Sequence, residues 1–177
     1  MAFDYALLEF CIITMIPKIR STVKSDESGL ISLNNESTPA VNLLTPDLFA
    51  HLTAQAKYCL TLILDKELIG FLLALPPGIL YSSENYRWFS SRYDKFLYID
   101  RIVIKKSHRR CGFGSMLYDR LLMLNSNEYP RLTCEVNIAP INERSLEFHG
   151  SYGFQEIGTQ ETENGSKHVM LMEHKLR

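Results

Sequence analysis

The residues best suited to chemistry lie in one short turn, where four cations stand beside two closely spaced glycines. The cations are Lys105, Lys106, Arg109 and Arg110, and the glycines are Gly112 and Gly114. Glycines spaced by one residue let the backbone turn tightly and bring bare N–H groups up to a ligand. A helix is predicted to begin there, and the positive end of its dipole also favours an anion. The turn therefore predicts a pyrophosphate site.

Two common phosphate-binding motifs do not fit this turn. The Walker pattern G-x-x-x-x-G-K-[ST] is absent from it, and the dinucleotide-binding pattern G-x-G-x-x-G has the bulky Leu117 in place of its third glycine. A basic, solvated loop ahead of a helix is the alternative interpretation. The turn by itself leaves both interpretations open.

The elements that position the turn are predicted to be a strand before it and a helix after it. β-branched and aromatic residues indicate a strand over 96–104, leucines at helical spacing indicate a helix over 114–124, and a second strand follows over 131–136. A strand–helix–strand unit of this kind predicts a right-handed crossover and therefore a parallel pair. Other predicted elements are helices near 25–33, after Thr45 and over 142–152, a hairpin within 58–75, and strands near 154–158 and 167–173.

Composition excludes several classes of protein. The chain has 177 residues, is 46% apolar and 22% charged, and carries a net charge of −1, so it shows no overall footprint for nucleic acid or anionic lipid. Its four cysteines form no C-x-x-C pair, and we expect no metal site. The apolar stretch 6–16 is interrupted by Glu9 and is too short to span a bilayer. We expect a cytoplasmic protein with one domain over 15–177, with Met15 as the natural start and residues 1–14 as an N-terminal extension.

Residues 79–95 differ from the rest of the chain because aromatic side chains interleave there with Arg87 and Arg92. The segment has no regular period and is predicted to be a long loop. Aromatic side chains in a long loop must cover something, which is either a ligand or the edge of the sheet. Both interpretations remain open.

Two motifs follow each other along the chain, and the first lies within the turn described above. The first is Arg109-x-x-Gly112-x-Gly114, directly after Ile102-Val103-Ile104. The second is Asn142-x-x-Ser145-x-x-Phe148-His149-x-x-x-Gly153-Phe154. They resemble the acetyl-CoA signature and a later helix motif of the GNAT superfamily of N-acetyltransferases, and the chain resembles its small-molecule members. The resemblance implies a mixed α/β fold, with a central, mostly antiparallel sheet flanked by helices. The fourth and fifth strands would be a parallel pair that splays apart to admit the pantetheine arm.

The same resemblance implies acetyl-CoA as the co-substrate. The backbone of Ile102, Val103 and Ile104 would bind pantetheine as an added strand does. Asn142 would contact the cofactor arm. The pyrophosphate and the 3′-phospho-ADP part would bind amides and side chains of the turn, which are Arg109, Arg110, Cys111, Gly112, Phe113, Gly114 and Ser115.

Acetyl transfer to an amine needs a base more than an acid. A lysine-like amine with a pKa of about 10.4 costs roughly 4.6 kcal/mol to deprotonate at pH 7, whereas a thiol with a pKa of about 8.5 requires only about 2 kcal/mol. Glu135 resembles the position at which ribosomal-protein alanine acetyltransferases of the superfamily keep a glutamate base. Asp100, on the preceding strand, is the rival candidate. A water relay without either carboxylate is the third possibility.

The proton donor is a departure from the superfamily's common pattern, because His149 stands where tyrosine is usual. Some small-molecule members, such as the phosphinothricin-type acetyltransferases, also carry histidine there. An imidazolium could donate a proton, and its ordinary pKa of about 6.5 would make the rate sensitive to pH. Tyr152 lies one helical turn further on and is a substitute donor. The alternative is that His149 bonds to backbone and merely lines the cleft.

The resulting expectation is an N-acetyltransferase that moves acetyl from acetyl-CoA directly to a primary amine of a small molecule. Arg87 and Arg92 could form one wall of a pocket for an amine that also carries a carboxylate, such as an amino acid. A peptide N-terminus or lysine is one alternative acceptor, and a catalytically silent acyl-CoA-binding module is the other alternative. No nucleic-acid or membrane partner is expected. Edge strands near the C-terminus could pair two copies of the chain into a homodimer.

Overall fold

The computed structural model describes residues 16–176, which form a single seven-stranded sheet with helices on both faces. The predicted extension 1–14 lies outside the described residues. The strands are β1 (Lys18–Ser21), β2 (Tyr58–Leu64), β3 (Glu67–Leu75), β4 (Leu97–Ile104), β5 (Arg131–Ala139), β6 (Gln155–Thr162) and β7 (Lys167–Lys175). The helices are α1 (Glu27–Asn35), α2 (Pro46–Gln55), α3 (Glu84–Ser90), α4 (Phe113–Asn125) and α5 (Glu143–Tyr152).

The strand order is β1-β2-β3-β4-β5-β7-β6, and only β4 and β5 run parallel among the neighbouring strands described. The predicted mixed sheet with one parallel pair is therefore confirmed. This pair is joined only where Leu97 faces Leu132 and Tyr98 faces Thr133. Beyond Tyr98, β4 remains paired with β3 on its other side, while β5 remains paired with β7. The two strands diverge, and a gap opens between them.

The two faces of the sheet carry separate cores. Helices α4 and α5 cover one face through residues such as Leu117, Leu121 and Phe148. Helices α1, α2 and α3 cover the opposite face through residues such as Leu30 and Phe49. The gap between β4 and β5 therefore connects the two faces of the sheet. None of the helices within residues 16–176 is long and apolar enough to cross a bilayer.

A β-bulge in β4 places two charged neighbours on the same face of the sheet. Leu73 pairs with Arg101 and Ala74 pairs with Ile99, so Asp100 is an extra residue in the ladder. In a regular strand, consecutive side chains point to opposite faces, and a bulge interrupts that alternation. Asp100 and Arg101 consequently both point toward the face covered by α1 and α3.

Local capping explains where the predicted helices begin and end. The Thr45 hydroxyl accepts a hydrogen bond from the Leu48 amide at 3.2 Å, and Pro46 occupies the first helical position of α2. The Asn142 side chain accepts from the Ser145 amide at 3.3 Å and starts α5, which ends at Gly153 with a φ of 107°. These boundaries agree with those predicted from the sequence.

The prediction that 79–95 is an irregular loop is wrong in part, because α3 lies within it. The Ser83 hydroxyl caps this helix by accepting from the Tyr86 amide at 3.2 Å. Tyr86 and Phe89, three residues apart, both point into the core, which stabilises a helix too short to show a clear period. The aromatic residues therefore serve mainly as core, and only part of the segment reaches the gap.

Candidate active site

The glycine-containing turn ends with a row of unpaired amides at the start of α4. The amides of Gly112, Phe113, Gly114 and Ser115 donate no hydrogen bond within residues 16–176. Arg110 and Gly112 have φ values of 64° and 78°, so the turn depends on left-handed backbone at both positions. A Cβ added to Gly112 would meet no atom within 4 Å, which leaves room for a ligand against the backbone. Free amides and open space at the N-terminus of a helix are what an anion needs, so these features fit a pyrophosphate.

Gly114 is required for a different reason, which is the close approach of α5. A Cβ at this position would stand 2.8 Å from Cζ and 2.9 Å from Cε2 of Phe148. The Phe148 ring in turn stacks on Tyr118 of α4, with ring centroids 5.5 Å apart. The absence of a side chain at Gly114 therefore lets α5 lie directly against the first turn of α4.

The Arg109 side chain turns inward from the basic turn. Its Nε donates to the Ile104 carbonyl at 2.9 Å, and its Nη2 donates to the Ser37 hydroxyl at 3.2 Å. The guanidinium thus joins the end of β4 to the connection between α1 and α2. The Cys111 thiol is exposed and lies 3.6 Å from the Arg109 carbonyl. Contacts of the Arg109 and Arg110 side chains with phosphates remain predictions.

A cavity of about 610 Å³ passes through the gap between β4 and β5. At one end it is lined by Asn142, Ser145 and His149 on the α5 side. At the other end it is lined by residues 40–42, by residues 81–85, by Arg87 and by the hairpin between β6 and β7. Two ligands could therefore approach each other from opposite faces of the sheet and meet between the strands.

Glu135 lies on β5 in the wall of this cavity, two residues beyond the last parallel pair. The Tyr98 hydroxyl donates to its Oε2 at 2.6 Å. Burial and the negative charge of Asp100 raise the pKa of Glu135 to about 7, although hydrogen bonds from Tyr98 and Asn85 work in the opposite direction. A carboxyl group with this pKa can accept a proton at neutral pH and later release it.

Asp100, the rival base, has both carboxylate oxygens engaged. Its Oδ1 accepts from the Tyr81 hydroxyl at 2.5 Å, and its Oδ2 accepts from Arg101 Nε at 2.7 Å. Arg101 also donates to the Asn34 side chain of α1 at 3.0 Å, and its pKa is raised chiefly by Asp100, against the effect of burial. The side chains of Asp100 and Arg101 are only 3% and 6% exposed, so this is a buried ion pair. Such an arrangement suits a fixed charge better than a proton acceptor.

His149 is buried and bonded through both ring nitrogens. Nδ1 lies 2.7 Å from the Ser145 carbonyl, which can only accept, so Nδ1 carries the proton. Nε2 lies 2.9 Å from the Tyr118 hydroxyl and accepts from it. Burial lowers the pKa of His149 to about 4, so the ring is neutral at pH 7. Its role as an imidazolium donor remains a prediction, and this geometry argues against it.

Tyr152 and Asn142 occupy positions at opposite ends of α5. The Tyr152 hydroxyl donates to Asp119 of α4 at 2.8 Å, and burial raises its pKa above the usual range. It does not line the cavity described above. Asn142 lines the cavity but uses its side-chain oxygen to cap α5, so only its amide NH₂ is free for a ligand. Donation by Tyr152 would require its hydroxyl to leave Asp119.

The two arginines of the aromatic segment lie in different places. Arg87 lines the cavity mouth and is exposed, and its side chain has no ion pair or hydrogen bond within residues 16–176. Arg92 instead stacks on the Trp88 ring, with its guanidinium carbon 3.5 Å from the ring centroid. Within these residues no cluster of three or more His, Cys, Asp or Glu side chains is arranged to hold a metal ion.

Comparison with known proteins identifies the family. The sequence matches the profile of the Acetyltransferase (GNAT) family over residues 28–154. The chain belongs to the GNAT family. Comparison with curated proteins gave no sequence match.

Solved structures share the fold of this GNAT protein at low sequence identity. Ard1 from Thermoplasma volcanium superposes with a TM-score of 0.74 at 17% identity, covering 91% of this chain and 98% of its own. The ribosomal-protein-S18-alanine N-acetyltransferase from Escherichia coli gives 0.69 at 16% identity, covering 90% and 94%. A GNAT family acetyltransferase from Elizabethkingia anophelis with acetyl-CoA bound gives 0.63 at 15% identity, covering 90% and 98%. These likenesses show the GNAT fold.

Sequence reasoning did not find the residues that surround the two carboxylates. Tyr98, Tyr81 and Asn85 face Glu135 or Asp100 but belong to no motif. Strand alternation alone places Tyr98 and Asp100 on one face, and that signal was available in the sequence. No pattern in the sequence indicates the bulge that brings Arg101 to the same face.

We expect Gly114→Ala to destabilise the protein by about 1–3 kcal/mol, because the new methyl group must displace the Phe148 ring. Displacing the start of α4 should also weaken CoA binding. Gly150→Ala is the matched control in α5, since its Cβ would meet no atom within 4 Å and should be neutral or slightly stabilising. Urea unfolding and calorimetric titration with CoA measure both effects. Equal stability of the two variants would contradict the packing argument.

The neutral His149 predicts a specific dependence of stability on pH. Its pKa in the folded protein is about 4, below an unfolded value of about 6.5. The unfolded chain therefore binds more protons below pH 6.5, so this residue lowers the free energy of unfolding by about 2–3 kcal/mol as the pH falls from 7 to 4.5. The free energy of unfolding of His149→Phe should therefore fall less between pH 7 and pH 4.5 than that of the unsubstituted protein, by this same amount. His51→Phe, an exposed position on α2, should not change the difference.

Proposed function

We propose that this GNAT protein transfers acetyl from acetyl-CoA directly to a primary amine of a small molecule. The observation that carries the proposal is the position of Glu135, in a gap open to both faces of the sheet and with a pKa of about 7. The turn of unpaired amides supports cofactor binding at one end of that gap. The polar mouth supports acceptor binding at the other end.

In this proposal the co-substrate binds mainly to backbone groups. The amides from Arg110 to Ser115 bind the pyrophosphate, assisted by the dipole of α4. The unpaired edge of β4 beyond Tyr98 bonds the pantetheine arm at Ile102, whose backbone groups point into the gap, whereas those of Val103 face Phe71 of β3. The Ile104 carbonyl already accepts a hydrogen bond from Arg109, so it does not bond the cofactor. The NH₂ group of Asn142 remains for the cofactor arm.

Glu135 supplies the proton acceptor that amine chemistry needs. A bond forms between the amine nitrogen and the acetyl carbon while the carbon–sulfur bond breaks. The electron pair of the broken bond leaves on sulfur, and the amine proton passes to Glu135. Glu135 then releases this proton to the CoA thiolate through solvent, so the products are the amide, the free thiol and the regenerated carboxylate. A base with a pKa of about 7 is half ionised at neutral pH, so it can serve in every turnover. Asp100, held by Arg101 and Tyr81, contributes a fixed negative charge instead.

The charges at the cavity mouth favour an acceptor that carries a carboxylate as well as an amine. Among the basic side chains that line the cavity, Arg101 pairs with Asp100 and Lys167 pairs with Glu163. Arg87 has no such partner within residues 16–176. A guanidinium in this position can bind a carboxylate in a bidentate manner. An amino acid or a related compound fits this pattern, and Arg87 takes the role predicted for both arginines.

Specific observations also support two alternative functions. The structural neighbours include a ribosomal-protein-S18-alanine N-acetyltransferase and a NatC complex bound to Gag peptide and CoA, so a protein N-terminus or lysine is the second candidate acceptor. A catalytically silent CoA-binding module is the third candidate, because His149 is neutral and fully hydrogen-bonded. Saturable CoA binding without turnover on any amine or peptide would favour the silent module.

Glu135→Gln should lower kcat by at least about tenfold at pH 7, because the amine then loses its base. The unsubstituted enzyme should show kcat/KM rising with pH through about 7, as the Glu135 carboxylate forms. The variant should lack that rise and should approach the parent at high pH, where the amine is already neutral. Thiol release measured from pH 5.5 to 9.5 tests this. An unchanged profile would remove Glu135 as the base.

Arg87→Gln should raise KM about fivefold for amines that carry a carboxylate, the equivalent of roughly 1 kcal/mol for one exposed ion pair. The corresponding decarboxylated amines should be unaffected. Arg92→Gln is the matched control, because that guanidinium stacks on Trp88 outside the cavity. A panel of amino acids, simple amines and N-terminal peptides measures the difference. Turnover confined to peptides would replace the small-molecule acceptor with a protein.

A further inference from the structure

Two tyrosine hydroxyls donate to the two carboxylates of the gap, but only one of these carboxylates is also paired with a cation. Tyr81 shares Asp100 with Arg101, so that carboxylate has hydrogen bonds on both oxygens. Tyr98 donates to Oε2 of Glu135 at 2.6 Å, and no cation pairs with this carboxylate within residues 16–176. The Glu135 carboxylate is thus held mainly by neutral donors.

The surroundings of Tyr98 fix the direction of its hydroxyl. The residue lies at the last parallel pair of β4 and β5, so backbone bonds hold its Cα on both sides. Its ring is buried against Tyr86 and Phe89, with centroids 5.5 and 5.9 Å away. Burial and the nearby carboxylates raise the pKa of Tyr98 well above its usual range, so the hydroxyl keeps its proton throughout the working pH range.

We propose that Tyr98 is a positioning residue for Glu135: its hydroxyl holds Oε2, so that the carboxylate keeps one orientation in the gap when it takes the amine proton. The same bond stabilises the ionised carboxylate against burial and against the neighbouring charge of Asp100. The inference rests on the proposed function of Glu135 as the base. Without this bond, burial and the charge of Asp100 would raise the pKa of Glu135 above about 7.

Other ionisable groups face Glu135 from the elements around the cavity. Asp100 acts on it directly and raises its pKa, and Arg101 partly offsets that charge through its pairing with Asp100. The remaining titratable or charged side chains that line the cavity are Tyr81, Glu84, Arg87, Cys134, His149, Glu163 and Lys167. His149 is neutral above its pKa of about 4, and Lys167 pairs with Glu163. Of the two side chains that donate hydrogen bonds to Glu135, Tyr98 lowers its pKa more than Asn85 does, so we choose Tyr98 for the test.

The test is the titration of the Glu135 carboxyl group itself, followed by ¹³C NMR of glutamate-labelled protein. Glu135→Gln assigns the signal. Tyr98→Phe retains the ring in its packing and removes only the hydroxyl, so the midpoint should rise by about one pH unit. Tyr86→Phe is the matched control, because its hydroxyl donates to the Pro76 carbonyl at 2.8 Å and should leave the midpoint unchanged.

A second variant keeps the test decisive if Tyr98→Phe does not fold. Placing 3-fluorotyrosine at position 98 preserves the ring and makes the hydroxyl a stronger donor, so the Glu135 midpoint should fall. An unchanged midpoint in both variants, or a fall in Tyr98→Phe, would overturn the proposal.

Kinetics then separate this inference from the proposed function. With a competent amine, the acidic limb of kcat/KM should move in Tyr98→Phe by the same amount as the NMR midpoint. A limb that stays in place while the midpoint moves would overturn the positioning role. If no amine or peptide is acetylated by the unsubstituted protein, the proposed function fails, whereas a shifted midpoint would still establish the Tyr98–Glu135 interaction.

Discussion

The separation of β4 from β5 is the constraint on which the rest of this structure depends. Backbone pairing joins these strands at only two positions, and each strand then follows its other neighbour. A gap in the middle of a sheet leaves unpaired backbone groups and polar side chains in a low-dielectric interior, which is costly unless they find partners. The cores on both faces, and a ring cluster below the gap that includes Phe89, Phe96 and Tyr98, hold the two strands in place around it.

The gap brings two carboxylates close together, and their surroundings assign them different roles. Two like charges in a buried site raise each other's proton affinity unless something compensates. At Asp100 the compensation is a full charge, since the bulge turns Arg101 to the same face and Asn34 holds its guanidinium. At Glu135 it is a neutral hydroxyl, which is weaker. Asp100 is thus held in a buried ion pair, whereas Glu135, with the weaker partner, has a pKa of about 7.

The sequence predicted the parts of this protein that depend on local rules. The hairpin of β2 and β3, the caps at Thr45 and Asn142, and the parallel pair all follow from turn residues, capping and crossover handedness. Helix α3 was missed because it is stabilised by burial of Tyr86 and Phe89 rather than by its own pattern. The bulge was missed for a similar reason, since it arises from pairing with β3 and leaves no mark on composition.

His149 shows how far a motif can define a residue's chemistry. The motif places it where the superfamily commonly has a tyrosine, but packing alone decides that both its nitrogens are bonded and that it is neutral. In the proposed mechanism the lack of an imidazolium donor is tolerable, because a thiol with a pKa of about 8.5 needs only about 2 kcal/mol of help, less than half of what an amine of pKa about 10.4 needs from its base. The greater energetic demand therefore falls on the base, which is the role that we propose for Glu135.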